Sequence, residues 1–398
     1  MKSVFAFWLS ACVGLCAQEF PQATDLPGQP FFIKQTWQIG GEGNWDQTVL
    51  DAAAKRLFIA HGRVVQVVDV STGALDGEVQ GLGNAHGIAL DEGGQLGYVT
   101  DGPANQVRVF DRATFKVVAS IPTSPGPRAI VLEPQSGLLF AVSATPLETA
   151  RAAQDKSRAP QPSALRSAIT VIDAQSRQPL GILLLPGKLG FAVADNRGRV
   201  YVDIVDQNRI ARLDAQQALA AIHDAQAAPG QAGVTPMLDW SAQPRPAGGG
   251  VRFFRLAPEC HDPAGLAVDS AHERLFAACG NMTMLVLNGD TGEHIASLPI
   301  GPGAEMIGYD PDRSLIATAN GGAQGTLTLI RQDVADTYAV IENLPTRQRA
   351  RTLAIDPATG EIYLVTENVG VKIDPKGGIG SLQPAPVQGT FQVLVIGN

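Results

Sequence analysis

The chain has 398 residues, 45% of them hydrophobic and 17% charged, and carries a formal net charge of −8. That balance supplies ample apolar surface for a core and excludes global disorder. The acidic excess argues against nucleic acid or anionic lipid as a broad electrostatic partner.

One lysine, an apolar stretch over residues 4–17 and a small-residue exit at Ala17 predict a secretory signal peptide over 1–17, too short to span a bilayer. Leu9-Ser10-Ala11-Cys12 also fits a lipoprotein pattern, with an unusually short apolar core. Either way the expected location is periplasmic or secreted. Cys12 and Cys16 leave with a leader cleaved after Ala17, so the mature chain keeps Cys260 and Cys279. In an exported protein that pair predicts a disulfide; two buried thiols are the alternative. A zinc site would need two more ligands, and only His261 is adjacent.

A spare strand over 31–39, ending in Gly40-Gly41, comes next. After it a hydrophobic strand closing on an acidic residue recurs seven times, at Asp51, Asp91, Glu133, Asp195, Asp269, Asp310 and Asp356. Each closure precedes a second apolar strand, such as Leu57-Phe58-Ile59-Ala60 or Gly97-Tyr98-Val99-Thr100. Third strands alternate with period two, as in Gln106-Val107-Arg108-Val109-Phe110. A period of about forty residues holding several short strands predicts an all-β fold, a seven-bladed β-propeller of four-stranded antiparallel blades filling 18–398 as one domain.

Three segments exceed the repeat. Residues 144–167 read as a polar surface loop, and 215–250 as a short alanine-rich helix followed by a flexible glycine-rich return. Residues 368–390 read as a Gly/Pro-rich loop. The last unit offers strands at 352–356, 361–366 and 391–397, with no fourth. The strand over 31–39 is therefore expected to complete the seventh blade and close the ring.

Propellers bind ligands where the first strands begin, around the central channel. The residue five positions before each acidic closure marks that rim: Asp46, His86, Arg128, Gly190, Ala264, Glu305 and Arg351. Five of the seven are ionisable. Asp46, His86, Arg128, Glu305 and Arg351 are the candidate ligand-binding residues, and a ring of carboxylates, arginines and one histidine suits an anionic or zwitterionic small ligand. His86 could act as a general base, although the sequence locates no partner for it. His61 reads as a polar loop contact. The sequence offers no metal-ligand cluster, no phosphate loop, no cofactor motif and no nucleophile elbow.

Gly97-Tyr98-Val99-Thr100 resembles the signature of the YVTN-repeat β-propellers. Further runs resemble the exported YncE-like and surface-layer members: Gly40-Gly41-Glu42-Gly43-Asn44-Trp45-Asp46, Ala85-His86-Gly87-Ile88-Ala89, and Arg349-Ala350-Arg351-Thr352. The resemblance covers nearly the whole mature chain and implies an exported seven-bladed propeller, with two cysteines where Cys260 and Cys279 stand. It implies little about activity, and Gly190 stands where relatives carry an acidic residue.

The leading expectation is a non-enzymatic exported propeller, monomeric, that binds a partner protein, glycan or small molecule on its channel face. A hydrolase or lactonase using the polar rim is one alternative. The other is an accessory subunit of a periplasmic redox complex, for which the chain itself has too few cysteines and no haem motif. Nucleic acid fits the net charge poorly.

Overall fold

The structure is a computed structural model that describes residues 29–91, 93–149, 165–230, 233–241, 250–373 and 382–398. The expected signal peptide and most of the 144–167 segment lie outside the described residues. Seven antiparallel sheets, each with a four-stranded core, follow one another around a ring. Blade one holds Trp45–Asp51, Arg56–His61, Val64–Asp69 and Ala74–Val79; blade two holds Ala85–Leu90, Leu96–Asp101, Gln106–Asp111 and Val117–Pro122. Blades three to six begin at Pro127–Glu133, Leu189–Ala194, Pro263–Asp269 and Ala304–Asp310. Each innermost strand packs on the next, and that of blade seven, Thr352–Ile355, returns to blade one.

Closure runs as expected. Phe32–Gln38 lies antiparallel to Gln392–Gly397, with Phe32 opposite Gly397 and Gln38 opposite Gln392. It becomes the outer strand of a sheet whose other members are Gln392–Gly397, Ile362–Thr366 and Thr352–Ile355. Trp37 stacks on Tyr363 at 5.6 Å between ring centroids.

The acidic closures prove to be turn devices. Asp51 accepts the Ala54 N–H at 3.0 Å, Glu133 the Ser136 N–H at 2.7 Å, Asp195 the Arg197 N–H at 2.8 Å and Asp356 the Ala358 N–H at 2.9 Å. A carboxylate that bonds amides two or three residues ahead fixes the turn into the second strand. The repeated acid is thus explained by folding, with no chemistry required of it.

Three readings of the long segments need correction. The third strand of blade three, Arg166–Asp173, starts inside the segment read as a loop to 167. The 215–250 segment does carry the helix, Ala215–Ala227, capped by Asp214 on the Gln217 N–H, with Ala218 and Ile222 buried. Its return is not wholly irregular: Met237–Asp239 pairs parallel to Gln178–Pro186, giving blade three a fifth strand. Gly181 leaves the space that Ile222 fills; a Cβ there would stand 2.8 Å from that side chain. Finally, 368–390 holds a hairpin, Val369–Ile373 with Leu382–Pro386. Three paired residues of mixed character show no detectable period, so the fifth strand could not be read from sequence.

Candidate functional site

In six of the seven blades the innermost strand loses register just after it begins: between Trp45 and Thr48, Ala85 and Ile88, Pro127 and Ala129, Leu189 and Ala192, Pro263 and Gly265, and Ala304 and Met306. Asp46, His86, Arg128, Gly190, Ala264 and Glu305 all sit inside these irregularities. A bulge re-aims a side chain that a regular strand would bury against the next blade. In blade seven Arg351 immediately precedes the first paired residue, Thr352.

The five ionisable rim residues form one connected arc across blades six, seven, one, two and three. Arg351 donates from Nη1 to both Glu305 oxygens, at 3.1 and 3.2 Å, and from Nη2 to the Trp45 carbonyl at 2.7 Å. Asp46 follows Trp45 in the chain and accepts from His86 Nδ1 at 2.8 Å. Arg128 Nη2 stands 3.3 Å from the same Asp46 oxygen. Burial pushes the Asp46 carboxyl up, but the His86 hydrogen bond and the charges of Arg128 and Arg351 outweigh it, and the pKa falls below the ordinary aspartate value. Asp46 is therefore the fixed anion around which three cationic or imidazole groups are ordered.

His86 has the partner that the sequence could not locate. The Asn84 amide nitrogen lies 2.9 Å from Nε2, so a neutral ring with its proton on Nδ1 satisfies both contacts. His61, read as a polar loop contact, makes that contact from a buried position at the end of its strand. It stacks on Phe391 at 3.9 Å and is held by Gln66 at 2.8 Å and the Gly43 carbonyl at 3.1 Å. It supports the floor beneath the Gly41–Gly43 lip.

Sequence reasoning missed part of the site. The guanidinium carbons of Arg349 and Arg351 lie 5.2 and 5.1 Å from the Trp45 ring centroid, within cation–π range. Arg349 has φ = 67°, a left-handed conformation that costs a non-glycine residue, and it reaches Asn44 Oδ1 at 3.0 Å and Glu367 Oε1 at 3.2 Å. Burial pushes Glu367 above the usual carboxylate range, with Arg349 and Arg351 offsetting part of the rise. The cluster Arg347, Arg349, Arg351 was the available signal, but Arg349 sits on a turn and Arg347 bonds Asn368 outside the cleft, so spacing alone does not select the residue that contributes.

These groups border a cleft of about 830 Å³ lined by Asp46, His86, Arg128, Arg349 and Arg351 with the Gly41–Gly43 lip, Asn84 and Arg63. Its size suits a small molecule. Arg63, on the turn between the second and third strands of blade one, makes no ion pair among the described residues. Arg128 is 55% exposed, with a single carboxylate contact. Among the described residues no group of His, Cys, Asp and Glu could hold a metal ion.

Blades four and five contribute no charge to the rim, and blade four shows why. A Cβ at Gly190 would stand 2.3 Å from Asp203 Oδ1 on the adjoining strand. The missing Cβ makes room for an acid buried beneath the rim. Asp203 is fully buried, with neither carboxyl oxygen in a hydrogen bond of normal geometry. Burial pushes its pKa well above 3.8, opposed by the Phe191 and Gly190 amides and Lys188. In blade two the corresponding residue is Thr100, whose hydroxyl accepts the Gly87 N–H at 2.8 Å and donates to the Arg128 carbonyl at 3.0 Å.

That contrast yields a pH prediction. The unfolded chain releases the Asp203 proton near 3.8 while the native protein retains it, so this residue makes stability fall as pH rises from that value through the raised native one. Asp203→Thr should remove the slope, stabilising the protein by about 1–3 kcal/mol near pH 8 and little near pH 4. Chemical denaturation across that range measures it; a pH-independent difference would sink the assignment.

Near the rim of blade five, Cys260 and Cys279 form a disulfide, as expected, with Cα atoms 5.4 Å apart. His261, beside it, contacts Asn208 at 3.3 Å. No helix among the described residues is long and apolar enough to cross a membrane.

No protein-family model matches the sequence, and no curated protein matches it. Solved structures do. A chain of the mitotic checkpoint complex aligns with 97% of this chain and 99% of its own at 12% identity and a TM-score of 0.61. A chain of hydrazine synthase from Kuenenia stuttgartiensis aligns with 87% of this chain and 95% of its own at 14% identity and a TM-score of 0.59. At such identities the likeness is one of fold. Matches extend to 1686 chains, so the fold by itself selects no activity.

Proposed function

We propose that this protein is an exported propeller of the YVTN-repeat kind that binds a small anionic or zwitterionic ligand at its channel mouth, without catalysing a reaction. The carrying observation is the connected arc from Glu305 through Arg351 and Asp46 to His86 and Arg128, the last four of which line the cleft. Side chains from five blades, ordered by mutual ion pairs, present a preorganised polar surface, and preorganisation lowers the entropy lost on binding. Arg128 and Arg63 retain capacity for an incoming anion, and Glu42 and Glu78, which line the same cleft, are placed to receive a cationic end. The leader pattern and the disulfide support export.

A hydrolase is the second reading, favoured by one contact: a carboxylate behind an imidazole is the arrangement of a general base. Against it, the Asn84 amide already engages Nε2, the atom that would take the proton.

A thermal-shift panel of carboxylates, amino acids, phosphate esters, neutral sugars and divalent cations on the mature protein separates these readings. Binding predicts stabilisation by charged small molecules, with neutral sugars inert and no ligand consumed. Turnover of a hit, abolished in His86→Ala, would replace the binding reading with the hydrolase.

A further inference from the structure

At the end of the ring away from the mouth, the residue after a third strand can lock one blade to the blade before it. Arg112, Ala174 and Gln332 hold that position in blades two, three and six, where their N–H groups bond the carbonyls of Gln95, Gly137 and Ser314 in the same way. Arg112 crosses to blade one, where its guanidinium binds Asp51, and it also holds the Asp91 and Gly94 carbonyls of its own blade. Gln332 crosses to blade five and donates to Asp269 at 3.2 Å. Ala174, in blade three, has no side chain long enough to reach Asp91 of blade two.

Asp91 is also the exception among the repeated acids. The other six accept amides from their own turns, whereas among the described residues the Asp91 carboxylate accepts no hydrogen bond and makes no ion pair. A cavity of about 520 Å³ lies beside it, between blades two and three. Leu90, Leu96 and Leu132 give that cavity an apolar wall, and exposed Gly93, Gln175 and Arg177 form its rim. The buried Tyr98 hydroxyl meets the Ala174 carbonyl only at 3.5 Å, whereas Tyr201, its counterpart in blade four, bonds the Gly289 carbonyl at 3.0 Å. That leaves the Ala174 carbonyl free to accept a stronger donor.

The charged side chains lining the cavity are Asp91, Asp173 and Arg177, two acids against one arginine. Burial raises the pKa of the Tyr98 hydroxyl; the Asp91 charge then adds more to the rise than Arg177 removes, and Asp173 adds further. The field at the cavity wall is therefore net negative.

We propose that this cavity is a second binding site, separate from the mouth, and that it takes an alkylguanidinium, whose planar head does for Asp91 what Arg112 does for Asp51. The methylene stem lies along the leucine wall. A guanidinium fits better than an ammonium because its fork serves a carboxylate and a carbonyl at once, as Arg112 shows one seam away.

Calorimetric titration of n-butylguanidinium into the mature protein tests this, with n-butylammonium and neutral n-butylurea as comparators. Butylguanidinium should bind about fivefold more tightly than butylammonium, the effect of one further hydrogen bond, and at least about tenfold more tightly than butylurea. Asp91→Asn should weaken it at least about tenfold with an unchanged melting temperature, because that carboxylate holds no turn amide. Removing the like charge in Arg177→Ala should tighten binding about twofold. Ala174→Arg should fill the cavity, abolish binding and raise the denaturation midpoint. A capped Gly-Arg-Gly peptide separates the two sources of the group: affinity equal to that of butylguanidinium assigns the cavity to an arginine of a partner chain, and much weaker affinity assigns it to a free small molecule. Absence of butylguanidinium binding, equal binding of butylurea, or full affinity in Asp91→Asn would overturn the proposal. So would loss of binding in Glu42→Gln/Glu78→Gln, which would place the cation at the mouth.

Discussion

Removal of residues 29–39 is expected to abolish cooperative folding. Strand Phe32–Gln38 joins the start of the described chain to its end by antiparallel pairing. It supplies the outer strand of blade seven through pairs running from Phe32–Gly397 to Gln38–Gln392. Losing several ladder hydrogen bonds at about 0.5–1.5 kcal/mol each, and the Trp37–Tyr363 stack, costs on the order of 5 kcal/mol or more. That approaches the whole stability of a typical domain. The loss also exposes Gln392–Gly397, a fully buried strand, as a bare apolar edge prone to pairing with other chains. The deletion variant should therefore aggregate or lack a cooperative thermal transition by circular dichroism.

The same geometry provides a rescue. Because Gly397 faces Phe32, a short turn from Asn398 to residue 31 would make the two strands a hairpin. A circular permutant beginning at residue 40 and ending with 31–39 should regain the wild-type melt. A deletion that folds as well as wild type, or a permutant that does not fold, would refute velcro closure.

Loss of the Cys260–Cys279 bridge is the second large effect. The cysteines are 19 positions apart, and closing a loop of that size in the unfolded chain contributes about 3 kcal/mol. Both cysteines are buried in the core cluster between blades four and five, beside Leu266 and Leu275, so a thiol pair or two alanines would leave most of the packing in place. Cys260→Ala/Cys279→Ala should lower the unfolding free energy by roughly that amount with little change in denaturant slope. Dithiothreitol should have the same effect on the wild type and none on the variant. Equal stabilities would refute that contribution.

Most of the ring is legible in the sequence because its determinants are local. Strand alternation, the acid two or three residues before each turn and the glycine turns all act over a few residues, and their recurrence gives the blades. The rim positions are legible for the same reason: a fixed offset from the acid lands in the bulge of six blades and just ahead of the paired strand in the seventh. The partnerships are harder. Asp46 and His86 occupy the same repeat position 40 residues apart, so one could have been paired with the other from the period. Arg351 to Trp45 spans 306 residues across the ring closure, and no local pattern announces it. Arg349 is recruited by its left-handed backbone, and the buried Asp203 by the missing Cβ of Gly190; both depend on space that only the folded ring defines. The fifth strand of blade three and the hairpin of blade seven lie where the repeat itself gives no template.

The most direct test of the mouth as the functional site is calorimetric titration of the strongest ligand from the panel into wild type, Arg128→Ala and Arg252→Ala. Arg252 is as exposed as Arg128 but sits on the outer strand of blade four, away from the cleft. The arc predicts a loss of at least about tenfold in Arg128→Ala, near 1.4 kcal/mol, with Arg252→Ala indistinguishable from wild type. Equal affinity in all three proteins would place the ligand elsewhere and contradict the account.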